Sequence, residues 1–356
     1  MTAVTSGKVL VTGANGFIAI WIVKKLLEQG YSVRGTIRSE SKGKHLKEVF
    51  KGYGSKLEIV VVEDITKVRV CTDYRRVYSR SDAIGASTRS NIPHHPPTSA
   101  RTIRTTLITP AVQGTTGILR SALQHGASVK RVVITSSTAA VLTQDPNPRV
   151  FSEDNWNERS IGEVETKGRE AAPFDKYRAS KTLAERAAWN FVEENKGSIG
   201  FDLVVLNPPF VYGPILHAVD SVENLNASMQ DWWAAVSGKK DNKFLATVGS
   251  SWIDVRDLAH AHVLAIQKEA AGGNRIIVSE GPYKWQDWEL AIAVNAAHAA
   301  EPKLPAGNSS YEPAKAVHYI RYDVARAKKL LGLEYISIQQ SAKDVVENFK
   351  EKKWIA

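Results

Sequence analysis

The stretch Lys8-Val-Leu-Val-Thr-Gly13-Ala-Asn-Gly16-Phe-Ile-Ala19 constrains this chain more than any other, because an apolar run breaks into spaced small residues and resumes across residues 20–27 with helical spacing. Such text reads as strand, tight turn and helix. Gly13 enters the turn without a Cβ penalty, a side chain at Gly16 would hold the backbone away from a pyrophosphate, and Ala19 lets the helix lie close on the strand. The unpaired N–H groups and positive dipole end of the helix N-terminus suit phosphate groups. A glycine turn alone is a weak signal, and the blander reading is a purely structural turn. The strand before it and the helix after it supply the context that dinucleotide binding needs.

Composition limits the alternatives. At 356 residues the chain can bury a large core, as one big α/β domain with an appendage or as two domains. Cys71 is the single cysteine, which excludes an internal disulfide and fits a reducing compartment. The first apolar run carries the phosphate turn and is closed by Lys24-Lys25, unlike a signal peptide, and no window is long and apolar enough for a transmembrane helix. A cytoplasmic location is therefore expected.

After the first helix, over residues 16–29, Gly30 closes it and residues 31–37 alternate as a second strand. Enzymes that use NAD often place an acid at that strand's end to hold the ribose 2′-hydroxyl. This chain has Arg38, followed by Ser39 and Lys42, and a guanidinium there suits a 2′-phosphate, so NADP(H) is favoured over NAD(H). The alternative is that Arg38 and Lys42 merely solvate a loop. A helix is expected over 44–51, then a strand over 57–62 ending at Glu63-Asp64-Ile65, from which Asp64 could reach an adenine.

Residues 67–106 change character. They hold eight lysines and arginines against Asp73 and Asp82, hence +6 of the chain's net +10, together with Cys71 and a His94-His95-Pro96-Pro97 tract. Periodic apolar positions are lacking where a doubly wound pattern should deliver another helix and strand. At best, residues 77–78 and 83–84 are remnants of them. Three readings compete: a basic loop for nucleic acid, a disordered insertion, or text translated in the wrong frame. The last explains why the pattern is normal on both sides. His94 and His95 lack the spaced partners of a metal site, and no metal is expected.

Regular patterning resumes at Ile108, with a helix over 111–125 and an apolar central strand over 129–135 that ends in Thr135-Ser136-Ser137-Thr138. Hydroxyls at a strand's carboxyl end face the ligand crevice of an open α/β sheet. The next long helix begins after Pro173 and carries Tyr177 and Lys181 at i and i+4, on one face. An ammonium beside a phenol stabilises the phenolate and should draw its pKa from about 10 toward working pH, as general acid–base chemistry requires. This spacing is frequent by chance. Joined to the upstream turn and Ser136-Ser137, it becomes specific.

Together, Val-Thr-Gly13-Ala-Asn-Gly16-Phe-Ile, Ile-Thr-Ser-Ser137, Tyr177-Arg-Ala-Ser-Lys181, Asn207-Pro208-Pro-Phe-Val211-Tyr-Gly213-Pro214 and Ile253-Asp-Val-Arg-Asp257 resemble the extended short-chain dehydrogenases/reductases. More narrowly, they are similar to fungal NADPH-dependent aldehyde, ketone and methylglyoxal reductases and to plant dihydroflavonol and cinnamoyl-CoA reductases. The resemblance covers residues 7–66 and 107–350. It implies Ser137, Tyr177 and Lys181 as the catalytic triad. For NADPH it implies the turn of Gly13, Asn15, Gly16, Phe17 and Ile18, the clamp of Arg38 and Lys42, and further contacts from Asp64, Ile65, Pro208 and Val211. Where the family has a strand and a small-residue segment beside the pyrophosphate, this chain has the anomalous window.

Beyond the helix, a buried strand over 201–206 ends at Asn207-Pro208-Pro209, where the nicotinamide would lie. Late strands are expected over 244–248 and 275–278, a helix over 256–268, and closing helices over 323–331 and 339–349. Met229, Trp232 and Trp233, the region 285–288 and the stretch 311–319 suggest either an apolar wall for a substrate or plain core packing. The expected architecture is a doubly wound (Rossmann) parallel α/β sheet. Residues 1–207 form the dinucleotide-binding core, and 208–356 complete the sheet and add a small substrate lobe.

The expected function is NADPH-dependent reduction of an aldehyde or ketone. Its partner is a small-molecule carbonyl compound, with no nucleic acid and no membrane, and the protein acts as a monomer or homodimer. Two rivals remain: an NADP-dependent sugar-nucleotide epimerase or dehydratase, disfavoured by the lack of arginine over 215–245, and a catalytically silent nucleotide-binding protein.

Overall fold

The computed structural model describes residues 3–64, the backbone of 83–87, and residues 107–296 and 307–355. Its strands, in chain order, are β1 (Lys8–Val11), β2 (Ser32–Ile37), β3 (Leu57–Val61), β4 (Ala83–Ser87), β5 (Arg131–Thr135), β6 (Arg149–Phe151), β7 (Asp202–Asn207), β8 (Phe210–Tyr212), β9 (Gly249–Asp254), β10 (Arg275–Ile277), β11 (Gly281–Lys284) and β12 (Ile320–Tyr322). Among the described residues, seven of these form one sheet in the order β10-β7-β5-β4-β1-β2-β3, and every pairing in it is parallel. The chain runs outward from β1 to β3, returns to the middle at β4 and continues the other way. Strand order thus reverses between β1 and β4, and ligands of such sheets bind beyond the carboxyl ends at that switch point.

The central strand β4 corrects one expectation about residues 67–106. Ala83 pairs with Val9 on one side and Arg131 on the other, and Gly85 with Val11 and Val133, so this part of the tract satisfies its neighbours' backbone groups instead of leaving them unpaired. Five small or apolar residues suffice for a short strand flanked on both edges. The rest of the tract, with Cys71, His94 and His95, lies outside the described residues, as does Ile65.

The helices of the nucleotide-binding half follow their apolar stripes. In α1 (Phe17–Glu28), Phe17, Ile20, Val23 and Leu27 are buried, and Gly30 follows at φ +88°, its N–H bonded to the Leu27 carbonyl. A short α2 (Gly43–Val49) precedes β3, and α3 (Thr109–His125) and α4 (Glu158–Lys167) both pack against the long helix that begins at Pro173. Pro173 opens α5 (Pro173–Glu194), where its missing N–H costs nothing, and Asp175 in the first turn accepts the Ser160 hydroxyl of α4 at 2.7 Å.

The carboxyl-terminal part departs from the expected elements. Residues 244–248 do not form a strand. They belong mostly to α7 (Asn242–Thr247), which follows α6 (Ala227–Val236), because the Asp241 carboxylate accepts the Phe244 N–H at 2.7 Å and caps a helix there. The strand is β9, which starts at Gly249 and joins β8 and β11 in a three-stranded sheet. Helices α8 (Val255–Gln267), α9 (Trp285–Ala296), α10 (Ala325–Leu331) and α11 (Ile338–Glu351) complete the chain, and β12 pairs with β6.

The tryptophan question resolves toward packing. Met229, Trp232, Trp252 and Trp288 are fully buried, and the Trp252 and Trp288 rings meet edge-on with centroids 4.6 Å apart. Trp232 stands edge-on to both Trp288 and Phe349. These rings belong to the main hydrophobic core, continuous with the apolar residues of β1 and α1, and expose no wall to a substrate. Trp233, half-buried against Phe349, packs on the same cluster. Tyr311 and Tyr319, by contrast, line a cavity of about 540 Å³ with Thr247 and Lys284, which contains none of Ser137, Tyr177 and Lys181.

Candidate active site

The turn at the end of β1 is held by its neighbour strand. Gly13 sits at φ +60°, its N–H reaches the Thr36 hydroxyl at 3.2 Å, and the Ala14 N–H reaches the Thr36 carbonyl at 2.9 Å. A Cβ at Gly35 of β2 would lie 2.8 Å from the Ala14 Cβ, so the turn can nest on β2 only above a glycine. Sequence reading missed Gly35 and Thr36, whose signal was a glycine inside an alternating strand. Gly16 is the N-cap of α1 and provides no side-chain cap, and no acid stands in the helix's first turn, so those N–H groups and the dipole suit an anion. Asn15 and Ile18 are half-buried beside the buried Phe17.

Arg38 and Lys42 follow the end of β2, both exposed and without an ion-pair partner among the described residues. Asp64 is half-buried just past β3. A backbone cradle flanked by two exposed cations is what a dinucleotide bearing an extra phosphate requires, and the residues present fit that group.

At the other side of the switch point, Ser137 stands in extended conformation just past β5. Its hydroxyl accepts the Ala139 N–H at 3.1 Å and caps a short 3-10 turn. Tyr177 on α5 is half-buried as a residue, and its hydroxyl is hydrogen-bonded to Ser137. Lys181 follows one helical turn later and is buried. The structure therefore brings Ser137 and Tyr177 together from separate elements, with Lys181 on the same helical stripe. Pro208 is buried past β7, where its carbonyl accepts the Thr138 N–H at 2.9 Å. Val211 lies in β8, opposite Ile253, with its side chain in the main core.

The electrostatics differ from expectation in one respect. Burial pushes the Tyr177 phenol above its ordinary value, with the Ser137 hydrogen bond pulling the other way, so the phenol keeps its proton at neutral pH rather than being drawn down by Lys181. Lys181 is itself lowered to about 8 by burial, against which the Glu185 carboxylate acts. A proton donor held protonated beside a hydroxyl, with an ammonium one turn away, is suited to giving a proton to a developing oxyanion.

Sequence reading also missed what lies beneath this pair. The Glu185 carboxylate, buried on α5, accepts the Ser136 hydroxyl at 2.5 Å and the Asn207 amide at 2.7 Å, and it pairs with the Arg275 guanidinium of β10. Arg275 further donates to the carbonyls of Glu153 and Asn155, at 2.7 and 2.6 Å, and lies 3.6 Å over the Trp156 ring. Among the described residues no group of acids, histidines and cysteines could hold a metal ion.

A doubly wound parallel sheet with its glycine turn at the switch point, and with hydroxyls and a Tyr–Lys helix facing the same crevice, defines the extended short-chain dehydrogenase/reductase class. The chain belongs to the NAD dependent epimerase/dehydratase family, whose profile matches residues 9–279. It is 34% identical over 340 residues to the NADPH-dependent methylglyoxal reductase of Saccharomyces cerevisiae, covering 94% of this chain and 96% of that one. It is 33% identical over 348 residues to a ketoreductase of Aspergillus niger, covering 97% and 98%. The crystal structure of yeast methylglyoxal/isovaleraldehyde reductase complexed with NADPH superposes with a TM-score of 0.82 at 32% identity, covering 98% of this chain and 100% of that chain.

Proposed function

We infer that this chain is an NADPH-dependent reductase of aldehydes and ketones. The observation that carries this reading is the Tyr177–Ser137 hydrogen bond, one helical turn from Lys181, at the carboxyl end of β5, on the other side of β4 from the strand that bears the glycine turn. Full-length relatives whose names record carbonyl reduction support it over sugar-nucleotide epimerisation. Gly13, Gly16 and the first turn of α1 would hold the pyrophosphate, and Arg38 with Lys42 the 2′-phosphate. The cofactor, when bound, supplies a hydride to the carbonyl carbon.

The chain's residues do the rest. The Ser137 hydroxyl donates a hydrogen bond to the carbonyl oxygen as negative charge develops there. Tyr177 gives that oxygen its phenolic proton, and the Lys181 ammonium compensates the phenolate left behind. Phe174, three residues before Tyr177 on α5 and 63% exposed, is an apolar surface suited to a hydrophobic carbonyl substrate. The same reading takes the protein as a cytoplasmic monomer or homodimer. Among the described residues no helix is long and apolar enough to cross a membrane.

The test is NADPH consumption followed at 340 nm with a panel of aldehydes, ketones and 2-oxoaldehydes. Turnover of at least one member that is lost in Tyr177→Phe is the expected result. A purified, folded chain that binds NADPH but consumes none of it across the panel would overturn the reading.

A further inference from the structure

The buried carboxylate of Glu185 divides its two oxygens between two tasks. Oε1 faces Arg275, while Oε2 faces the carboxyl ends of β5 and β7 and takes both the Ser136 hydroxyl and the Asn207 amide. The same Asn207 nitrogen donates to the Ser137 carbonyl at 3.1 Å, so a single carboxylate oxygen holds the Ser136 hydroxyl directly and the Ser137 carbonyl through Asn207. Along α5, Tyr177, Lys181 and Glu185 recur at intervals of four residues and share one face. Arg275 is further satisfied by three backbone carbonyls and the Trp156 ring. A carboxylate whose only use was to neutralise Arg275 would have no need to meet the strand ends.

We propose that Glu185 is a positioning residue of the reduction: through Ser136 and Asn207 it holds Ser137 against Tyr177, and it is the countercharge of the Lys181 ammonium. This rests on the assignment of Ser137, Tyr177 and Lys181 given above. The other titratable or charged side chains packed around the pair are Tyr177 on the same helix, Arg275 on β10, Glu153 on the segment after β6, which accepts the Ile277 N–H, and His262 of α8 against Thr135. Glu185 carries the negative charge that opposes the effect of burial on Lys181. Removing that charge lets burial lower Lys181 further. Activity that needs the ammonium is then lost at lower pH.

The experiment compares Glu185→Gln with the double variant Glu185→Gln/Arg275→Met, which removes the buried pair as a unit so that no uncompensated guanidinium is left in the core. Each is checked for a cooperative melt, for NADPH affinity by fluorescence, and for kcat/KM against pH with a carbonyl compound that the wild type reduces. Tyr177→Phe serves as the reference for the assignment itself. The expected result in a folded variant is a fall in kcat of about tenfold or more at neutral pH, an alkaline limb moved to lower pH by at least about half a unit, and NADPH affinity within about threefold of wild type.

A folded variant with the wild-type limb and kcat overturns the proposal. So does failure of both variants to fold, which would make Glu185 a residue of the fold alone. Should Tyr177→Phe retain activity, the assignment of the site falls first, and independently of Glu185.

Discussion

At the end of β1 the phosphate turn is made of backbone and small residues within one contiguous stretch, and the Thr36 hydroxyl is the side-chain atom that braces it. At the ends of β5 and β7 the proposed reducing site is made of side chains from four separate elements, locked by a buried ion pair. Both face one crevice. The difference is where the cost of assembly is met. A backbone turn needs only permitted dihedral angles and room for a neighbour. A buried polar cluster depends on matching its donors and acceptors, since each one left unmatched costs about 1–3 kcal/mol. The turn should therefore be tolerant and graded in its response to change, and the side-chain site abrupt.

The largest expected contrast comes from Tyr177→Phe, which removes one hydroxyl. If that hydroxyl is the proton donor, kcat should fall by about a hundredfold to ten-thousandfold while NADPH affinity stays near wild type. Stopped-flow turnover and fluorescence titration check the two halves. Near-normal kcat would erase the proposed division between the regions.

Acid should single out the side-chain region next. His262 of α8 is buried, with Nε2 2.7 Å from the Thr135 hydroxyl and Nδ1 2.8 Å from the Leu258 carbonyl, and burial lowers it from the ordinary 6.5 to about 4. Between those values the unfolded chain binds a proton that the folded chain refuses. The stability from this group is complete above about pH 6.5 and is lost as pH falls toward 4, by up to about 3 kcal/mol. Denaturant unfolding at pH 7 and pH 5 should show the loss, and His262→Gln should flatten it. An unchanged pH slope in that variant would assign the acid sensitivity to other groups.

On the turn side, Arg38→Ala should cost NADPH about 1.5–3 kcal/mol, roughly tenfold or more in Kd, and leave NADH nearly untouched. Equal losses for both cofactors would remove Arg38 from the 2′-phosphate. The smallest effect belongs to Gly35→Ala. Its Cβ would lie 2.8 Å from the Ala14 Cβ, which has no rotamer by which to move aside, so the turn itself must shift, an overpacking cost of at least about 1 kcal/mol that should weaken NADPH binding several-fold and leave kcat at saturating cofactor unchanged. A collapse of kcat instead would mean that the turn and the reducing site are rigidly coupled.

Much of this protein was determined by local sequence alone. The β1–α1 unit, the helix carrying Tyr177 and Lys181, and the strand ending at Thr135 just before Ser136-Ser137 are each readable because hydrophobic period, capping residues and glycine placement act within a few residues. Other features depended on chain segments far apart. That Ala83–Ser87 forms the central strand follows from the two edges, β1 and β5, that flank it, and its own five residues carry little signal. That residues 242–247 are helical follows from one capping carboxylate, which outweighed a short apolar run.

Trp232, Trp252 and Trp288 became core because three helices and a small sheet close around them, and an aromatic residue's spacing does not say which partners will. The joining of Glu185 to Arg275, ninety residues away, and the raising of Tyr177 by burial were likewise decided only in three dimensions. Desolvation and buried hydrogen bonds depend on what surrounds a group, and a one-dimensional chain does not contain its own surroundings.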